Sequence, residues 1–545
     1  MGERLLAFAL RRYAFAMWSV LAISVAFLTF MPIFYDVMAG LAWADFTALN
    51  GRSPHNPYDI WLSRGIGYKL YLYASADFSR SIFPDTPRLR VYAFNVIFIL
   101  FGSLLIHAAI QAFLLKNTSI SANRSRQDRL ETWAFGMLLF LPATLWSWAQ
   151  DTHVAVLLCV LGIALALSPS KRAQWSSGVV LVLLFLVKGV TACDFLFVVG
   201  AAAATGRRRL YRVLGSALAA SAAIGVAYLT VMRPELDQLL QASRFQLDPS
   251  WRKGVSLFLS EGVVFAFHDP APLLAAVALA ITLYRQRGKI KRPSAIYFAA
   301  AAWLFALPAL LIQHEFFGYH YQELTLSAWL CLAAVLVAQG QSLEDFFRLS
   351  SSGRSTRLTV LAVCCVDLLL IAAAFQTNTL RWFDSTNYDW RTVETRLDCS
   401  IQAARAIRST ILDENTNAVA RAEILDLSWP VNYGLNLPVA THFFFPLPLH
   451  HLGRLRTPME RAYLDAIQNY RGEFVIAERH VLDSAPALAQ FQTRLDAEYR
   501  LKNLVGDRGC PKIELWRRVD GAQQQPAPLK TAAAATIRSR PSPRR

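Results

Sequence analysis

Charge is scarce in this sequence. Of 545 residues only 17% are Asp, Glu, Lys or Arg, while 54% are hydrophobic, a balance far from that of water-soluble domains. So little polar surface cannot cover that much apolar side chain in water, which excludes an ordinary soluble fold for most of the chain. Catalytic signatures are scarce too. The sequence contains no GxxxxGK[ST], no dinucleotide glycine fingerprint, no GxSxG elbow, no HExxH and no C-x-x-C pair. Nucleotide hydrolysis and redox chemistry therefore have no visible support. Cysteine is rare, with seven in all.

What the sequence does have is long apolar blocks. AFAMWSVLAISVAFLTFMPIFY, VYAFNVIFILFGSLLIHAAIQAFLL and LTVLAVCCVDLLLIAAAF each approach or exceed the roughly 20 residues that span a hydrocarbon layer as a helix. The first block follows Arg11 and Arg12, lacks a small-residue cleavage site and ends in Phe34 and Tyr35, so it reads as a retained helix. Spanning segments are expected near residues 14–35, 91–115, 132–149, 153–168, 175–189, 190–204, 213–232, 263–284, 294–313, 320–338 and 357–376, about eleven in total. The pair 175–189 and 190–204 is short and interrupted by Lys188 and Asp194, so a helical hairpin that does not fully span is an open alternative.

The net charge of +17 is distributed in a telling way. The N-terminus, KNTSISANRSRQDR, SPSKRAQ, GRRRLYR, RQRGKIKRP and SSSGRSTR hold most of the clustered Lys and Arg, and all fall on one side of the expected bilayer. The positive-inside rule makes that side cytoplasmic, and orientation, not nucleic-acid binding, accounts for the basic balance. The loop 36–90, the turn near Gln150, the loop 233–261, the HEFFGYH turn and everything after Gln376 then face the extracytoplasmic side. The expected location is the inner (plasma) membrane of a bacterium, with a cytoplasmic N-terminus.

Three regions follow: a polytopic all-α transmembrane bundle over 1–376, an extracytoplasmic α/β domain over 377–520 and a basic tail over 521–545 whose Ala, Pro and Gln content reads as disordered. In the second region helix-like IQAARAIRSTIL, MERAYLDAIQNY and APALAQFQTRLDAEY alternate with strand-like AEILDLS, EFVIAE and KIELWRRV. Cys399 and Cys510 are its two cysteines, and an oxidising compartment makes them a disulfide candidate, two unpaired thiols being the alternative.

Polar residues at the rim of an apolar bundle are costly to keep, so they are the candidates for function. Asp36 directly follows the first apolar block and Asp45 comes soon after; a carboxylate fixed there could take a proton from an attacking hydroxyl. The plainer alternative is that either caps the amphipathic helix that follows. Gln150, Asp151 and His153 make a very short polar turn, a pattern that a turn alone also explains. Lys188 ends an apolar run beside Gly189, where an ammonium either snorkels to the interface or holds an anionic phosphate against the bilayer. His314, Glu315, Tyr319, His320 and Gln322 crowd another turn; their spacing matches no zinc signature, leaving hydrogen bonds to phosphate or sugar against a simple aromatic belt.

In chain order these places resemble the GT-C superfamily of membrane glycosyltransferases, and within it the polyprenyl-phosphate-mannose-dependent mannosyltransferases that include the phosphatidylinositol mannoside enzymes. Asp36, an Ala-rich stretch, Gly51 and NPYD resemble that family's Asp, Gly and PYD pattern. AQDTHVAVLLCVLGIALAL resembles its GQ-containing turn, with Ala149 in place of the usual Gly. WSSGVVLVLLFLVKG resembles its glycine-containing helix ending in Lys, without the Pro that commonly follows. The match covers about the first 205 residues. It implies a GT-C-like fold, an extracytoplasmic site, a polyprenyl-phosphate sugar donor, a glycan or glycolipid acceptor and inverting transfer with no required cofactor or metal. Alignment to Gly51 and PYD favours Asp36 over Asp45 as general base. Gln150, Asp151, Lys188, His314, Tyr319 and His320 are then expected to bind the donor phosphate or substrate. A transporter or lipid flippase, or a non-catalytic subunit of an envelope polysaccharide system, is the competing expectation, although no internal repeat supports transport.

Overall fold

A computed structural model describes residues 13–30, 35–50, 65–114, 149–188, 192–230, 390–414, 424–437, 456–484, 488–506 and 510–519, with a few positions between 130 and 137 and residue 233. The expected segments 263–284, 294–313, 320–338 and 357–376, most of 132–149 and the tail 521–545 lie outside the described residues.

Among the described residues, eight helices lie before residue 233. They are α1 (Tyr13–Phe30), α2 (Tyr35–Asn50), α3 (Ile66–Ile82), α4 (Pro87–Leu114), α5 (Asp151–Leu167), α6 (Lys171–Val187), α7 (Ala192–Thr205) and α8 (Arg207–Thr230). Two stretches, Pro87–Ala109 and Arg207–Thr230, are long and apolar enough to cross a membrane. At 1.5 Å per residue the 24-residue α8 extends about 36 Å, against a hydrocarbon thickness of about 30 Å. Its residues Leu218, Val226 and Leu229 are exposed, as are Leu100 and Leu104 on α4 and Phe185 on α6. Apolar faces of this extent, together with two helices long and apolar enough to cross a bilayer, suggest a membrane protein.

The α5–α6 and α7–α8 pairs are antiparallel hairpins whose turns are knitted together. Ser170 caps α6 by accepting from Ala173 N at 3.5 Å, and Gln174 Nε2 donates to Ser168 O at 2.8 Å. From α8, Arg209 Nη1 donates to Leu167 O at 2.9 Å and Arg212 Nη1 to Gln174 Oε1 at 2.6 Å. Gly206, at φ +130°, makes the sharp reversal into α8. Helices α6 and α8 approach so closely at Gly178 that a Cβ there would stand 1.9 Å from Ser216 Oγ and 2.3 Å from Val213 O. This close seam is the structural use of the glycine in WSSGVV. Both basic turns therefore share one end of the bundle, and the opposite end receives Gln150, Lys188 and the start of α7. At 14 residues, about 21 Å, α7 is short of the hydrocarbon thickness.

Helix α2 departs from the amphipathic expectation: Val37 through Asp45 is buried on every side, because α2 packs between α3 and the C-terminal helix Trp429–Leu435.

Among the described residues, the C-terminal α/β part consists of α9 (Trp390–Glu414), β1 (Ile424–Asp426), α10 (Trp429–Leu435), α11 (Arg456–Asn469), β2 (Phe474–Glu478), α12 (Arg479–Ser484), α13 (Ala489–Glu498), β3 (Tyr499–Val505) and β4 (Ile513–Arg518). The sheet runs β1-β2-β4-β3, with β1 and β2 parallel and the other neighbours antiparallel. Phe474 and Ile476 pack with Ile513 and Leu515 on one face; Val475 and Ala477 meet Tyr463, Phe491 and Leu495 on the other. The strand-like stretches of the sequence correspond to β1, β2 and β4. Strand β3 was not expected: it is an edge strand with exposed Arg500 and Lys502 and a register shift between Leu501 and Asn503, which breaks the alternation that marks strands. Cys399 in α9 and Cys510 ahead of β4 are joined by a disulfide across 111 positions, with Cα atoms 5.7 Å apart.

Candidate functional site at the bundle rim

The turn before α5 is held in a conformation that side chains rarely adopt. Ala149 has φ +60°, the left-handed region that glycine enters at no cost. Three contacts secure the turn here. Tyr68 OH donates to Ala149 O at 2.8 Å, Ala149 N donates to His153 Nδ1 at 3.3 Å, and the His153 ring sits edge-on to Phe98 with centroids 4.6 Å apart. His153 thus accepts a backbone proton through Nδ1 and serves the turn.

Gln150 is the N-cap of α5 by backbone geometry and is fully buried, yet both Oε1 and Nε2 lack a hydrogen-bond partner. An amide in that state carries a desolvation cost of about 1–3 kcal/mol per group unless something else satisfies it. Next to it, Asp151 Oδ1 accepts from Thr152 N at 2.8 Å and from Thr152 Oγ1 at 3.4 Å.

Lys188 reaches this turn from the other strand of the hairpin. Its backbone closes α6 by donating to Leu184 O at 3.1 Å, and its Nζ donates to Thr152 Oγ1. Asp194, in the first turn of α7, lies within electrostatic reach of Lys188; it is fully buried and neither carboxylate oxygen has a hydrogen-bond partner. The rim therefore gathers an ammonium, a hydroxyl, a carboxylate and an amide with open hydrogen-bonding capacity. Such a set can bind a polar, anionic headgroup where low dielectric strengthens each contact.

A second buried polar centre lies at α2. Arg90 Nη2 donates to Asp45 Oδ2, Arg80 Nη1 stands 3.7 Å from Asp45 Oδ1, and Arg90 Nη1 donates to Tyr433 O at 3.0 Å. Asp45 and Arg90 are each 1% exposed. Arg88 with Asp398, and Arg408 with Asp85 at 2.8 Å, also join the helical bundle to the C-terminal α/β part.

Of the residues singled out by sequence, Lys188 reaches the turn that holds Gln150 and Asp151, through Thr152. Asp45 belongs to the arginine network. Asp36 falls in the first turn of α2, one residue from its start; its side chain, with His314, Tyr319 and His320, lies outside the described residues. Thr152, Asp194 and Tyr68 were not singled out for the site. Only Asp194 gave a signal, as a charge interrupting an apolar run; a threonine in a polar turn and a tyrosine in a loop give none. Among the described residues no three His, Cys, Asp or Glu side chains gather as a metal site.

No protein-family profile and no curated protein matches the chain. Among solved structures, it is similar to the archaeal oligosaccharyltransferase AglB from Archaeoglobus fulgidus in complex with an inhibitory peptide and a dolichol-phosphate, at 11% identity and a TM-score of 0.40, covering 87% of this chain and 70% of that one. It is also similar to an Archaeoglobus fulgidus oligosaccharyltransferase in complex with zinc and sulfate, at 12% identity and a TM-score of 0.38, covering 85% of this chain and 68% of that one.

Proposed function

We propose that this chain is a membrane glycosyltransferase of GT-C type that moves a sugar from a polyprenyl-phosphate donor to an extracytoplasmic glycan or glycolipid acceptor with inversion. The observation that carries the reading is the meeting of Lys188, Thr152 and the buried, unpartnered Gln150 at the end of the bundle away from the basic turns. By the positive-inside rule that end faces the extracytoplasmic side of a bacterial inner membrane, at the depth where a lipid-linked phosphate lies.

In this scheme the acceptor hydroxyl attacks the anomeric carbon from the face opposite the phosphate. The new glycosidic bond forms as the bond from that carbon to the phosphate oxygen breaks, the hydroxyl proton passes to Asp36, and the polyprenyl phosphate leaves carrying the bonding electron pair. Lys188 meets the charge that develops on the leaving phosphate, with Gln150 as hydrogen-bond donor and His314, Tyr319 and His320 extending the same cradle. Asp45 was the alternative base. It is 1% exposed and already engaged by Arg90, with Arg80 nearby, so an acceptor hydroxyl has no approach to it, which supports Asp36. The resemblance to the mannosyltransferases makes mannose the first donor sugar to test.

The test is Asp36→Asn in purified, reconstituted protein supplied with polyprenyl-phosphate sugars and acceptor. The expected result is a fall in kcat of about 10²-fold or more with folding intact. Near-normal turnover removes Asp36 from the mechanism.

A further inference from the structure

Helix α10 carries a line of hydrogen-bonding groups with nothing to bond. Ser428 is its N-cap, Asn432 lies one turn into it, and Asn436 follows its last residue in a left-handed conformation. Ser428 Oγ, both amide atoms of Asn432 and Asn436 Oδ1 have no partner, and neither does Asp426 Oδ2 at the end of β1. Ser428, Asn432 and Asp426 are 0%, 1% and 3% exposed. The backbone binds them into one cluster: Ser428 N donates to Asp426 Oδ1 at 2.6 Å, and Asn432 N donates to Ser428 O at 3.4 Å. Each orphan carries a desolvation cost that no bond in the structure returns.

Their position in the fold points outward from packing toward binding. Asp426 ends β1 and Glu478 ends the parallel strand β2; the carboxyl ends of neighbouring parallel strands are where open α/β sheets receive ligands. Helix α10 packs on both α9 and α2, the helix that begins beside Asp36. Arg90 grips the Tyr433 carbonyl in the middle of α10, so the line is fixed relative to that helix. Chemically the set mixes donors and acceptors and holds no cation. Burial, with Glu478 adding to it, pushes the Asp426 carboxyl well above the usual carboxylate range, which lets it donate as well as accept. Adjacent sugar hydroxyls, each both donor and acceptor, match such a set; an anion does not.

We propose that Asp426, Ser428, Asn432 and Asn436 form a carbohydrate subsite through which the soluble domain holds the acceptor beside α2. The inference rests on the glycosyl transfer proposed above, and its test separates the two.

Hydrogen exchange at residues 424–437 is followed in the purified full chain with and without free disaccharides of mannose, glucose, galactose and arabinose, with inorganic phosphate as the control. At least one disaccharide is expected to slow exchange there several-fold, phosphate is expected not to, and Asn432→Leu is expected to abolish the effect. Lys188→Gln, which removes donor use, should leave the protection intact, so loss of transfer alone does not decide the matter. In transfer assays Asn432→Leu should raise acceptor KM about tenfold or more at unchanged donor KM. If that variant fails to fold, Ser428→Ala takes its place, with a smaller rise of several-fold. No disaccharide protection, or a folded Asn432→Leu with unchanged acceptor KM and a higher Tm, means that the line holds ordered water only and overturns the proposal.

Discussion

The guanidinium of Arg90 lies over the ring of Tyr433, 4.7 Å from its centre, while one of its nitrogens donates to Asp45 and another to the Tyr433 carbonyl. One side chain thus joins helix α2, helix α4 and the C-terminal α/β part. Removing one member of a buried pair leaves the other charge uncompensated, at about 3–5 kcal/mol. Arg90→Gln should destabilise the protein on that scale, and Asp45→Leu with Arg90→Leu should recover part of the loss. Denaturant unfolding in detergent checks both. Asp45→Asn should likewise cost stability, whereas Asp36→Asn should cost turnover.

Ala149 occupies a left-handed conformation that disfavours a β-carbon by about 1–2 kcal/mol. Ala149→Gly should relieve most of that strain without disturbing the Tyr68 and His153 contacts, which use backbone atoms of residue 149. The expected outcome is a stability gain of about 1 kcal/mol, visible as a higher unfolding midpoint, with activity retained.

Asp426 supplies a pH dependence with a definite sign. Its carboxyl is raised in the folded state by burial, so the folded chain holds this proton more tightly than the unfolded one. The associated stability is fully present below the ordinary carboxylate pKa and is lost as pH rises through the folded value. Asp426→Asn keeps an acceptor for Ser428 N and removes the titration. Relative to wild type, the variant should therefore gain Tm progressively as pH increases from about 4 toward neutrality, and thermal scans across that range check it.

Some of this was legible in the chain alone. Lys188 and Gln150 stand out because charge and amide are rare inside apolar blocks, and the clustered basic residues set which end of each hairpin they occupy. The short pair of helices around Lys188 was also visible, from the charges that interrupt it. Tertiary partners were not. Arg90 reads from sequence as the basic boundary of an apolar run, and nothing across its separation of 45 residues from Asp45 announces their pairing. Helix α2 looked amphipathic because its polar residues were assumed to face water, whereas α10 packs over it. Strand β3 escaped because an exposed edge with a bulge keeps no alternation. The orphan atoms of α10 are invisible for the same reason: SWPVNYGLN gives no sign that its Ser and Asn side chains are enclosed.

The claim on which the account depends is that Lys188 meets a lipid-linked phosphate as the sugar leaves it. The most direct measurement is transfer of labelled sugar from a polyprenyl-phosphate donor by wild type and Lys188→Gln, purified and reconstituted side by side with matched unfolding midpoints. The account predicts a fall in kcat of about 10²-fold for the variant. Equal rates, with the variant folded and donor saturating, would contradict it.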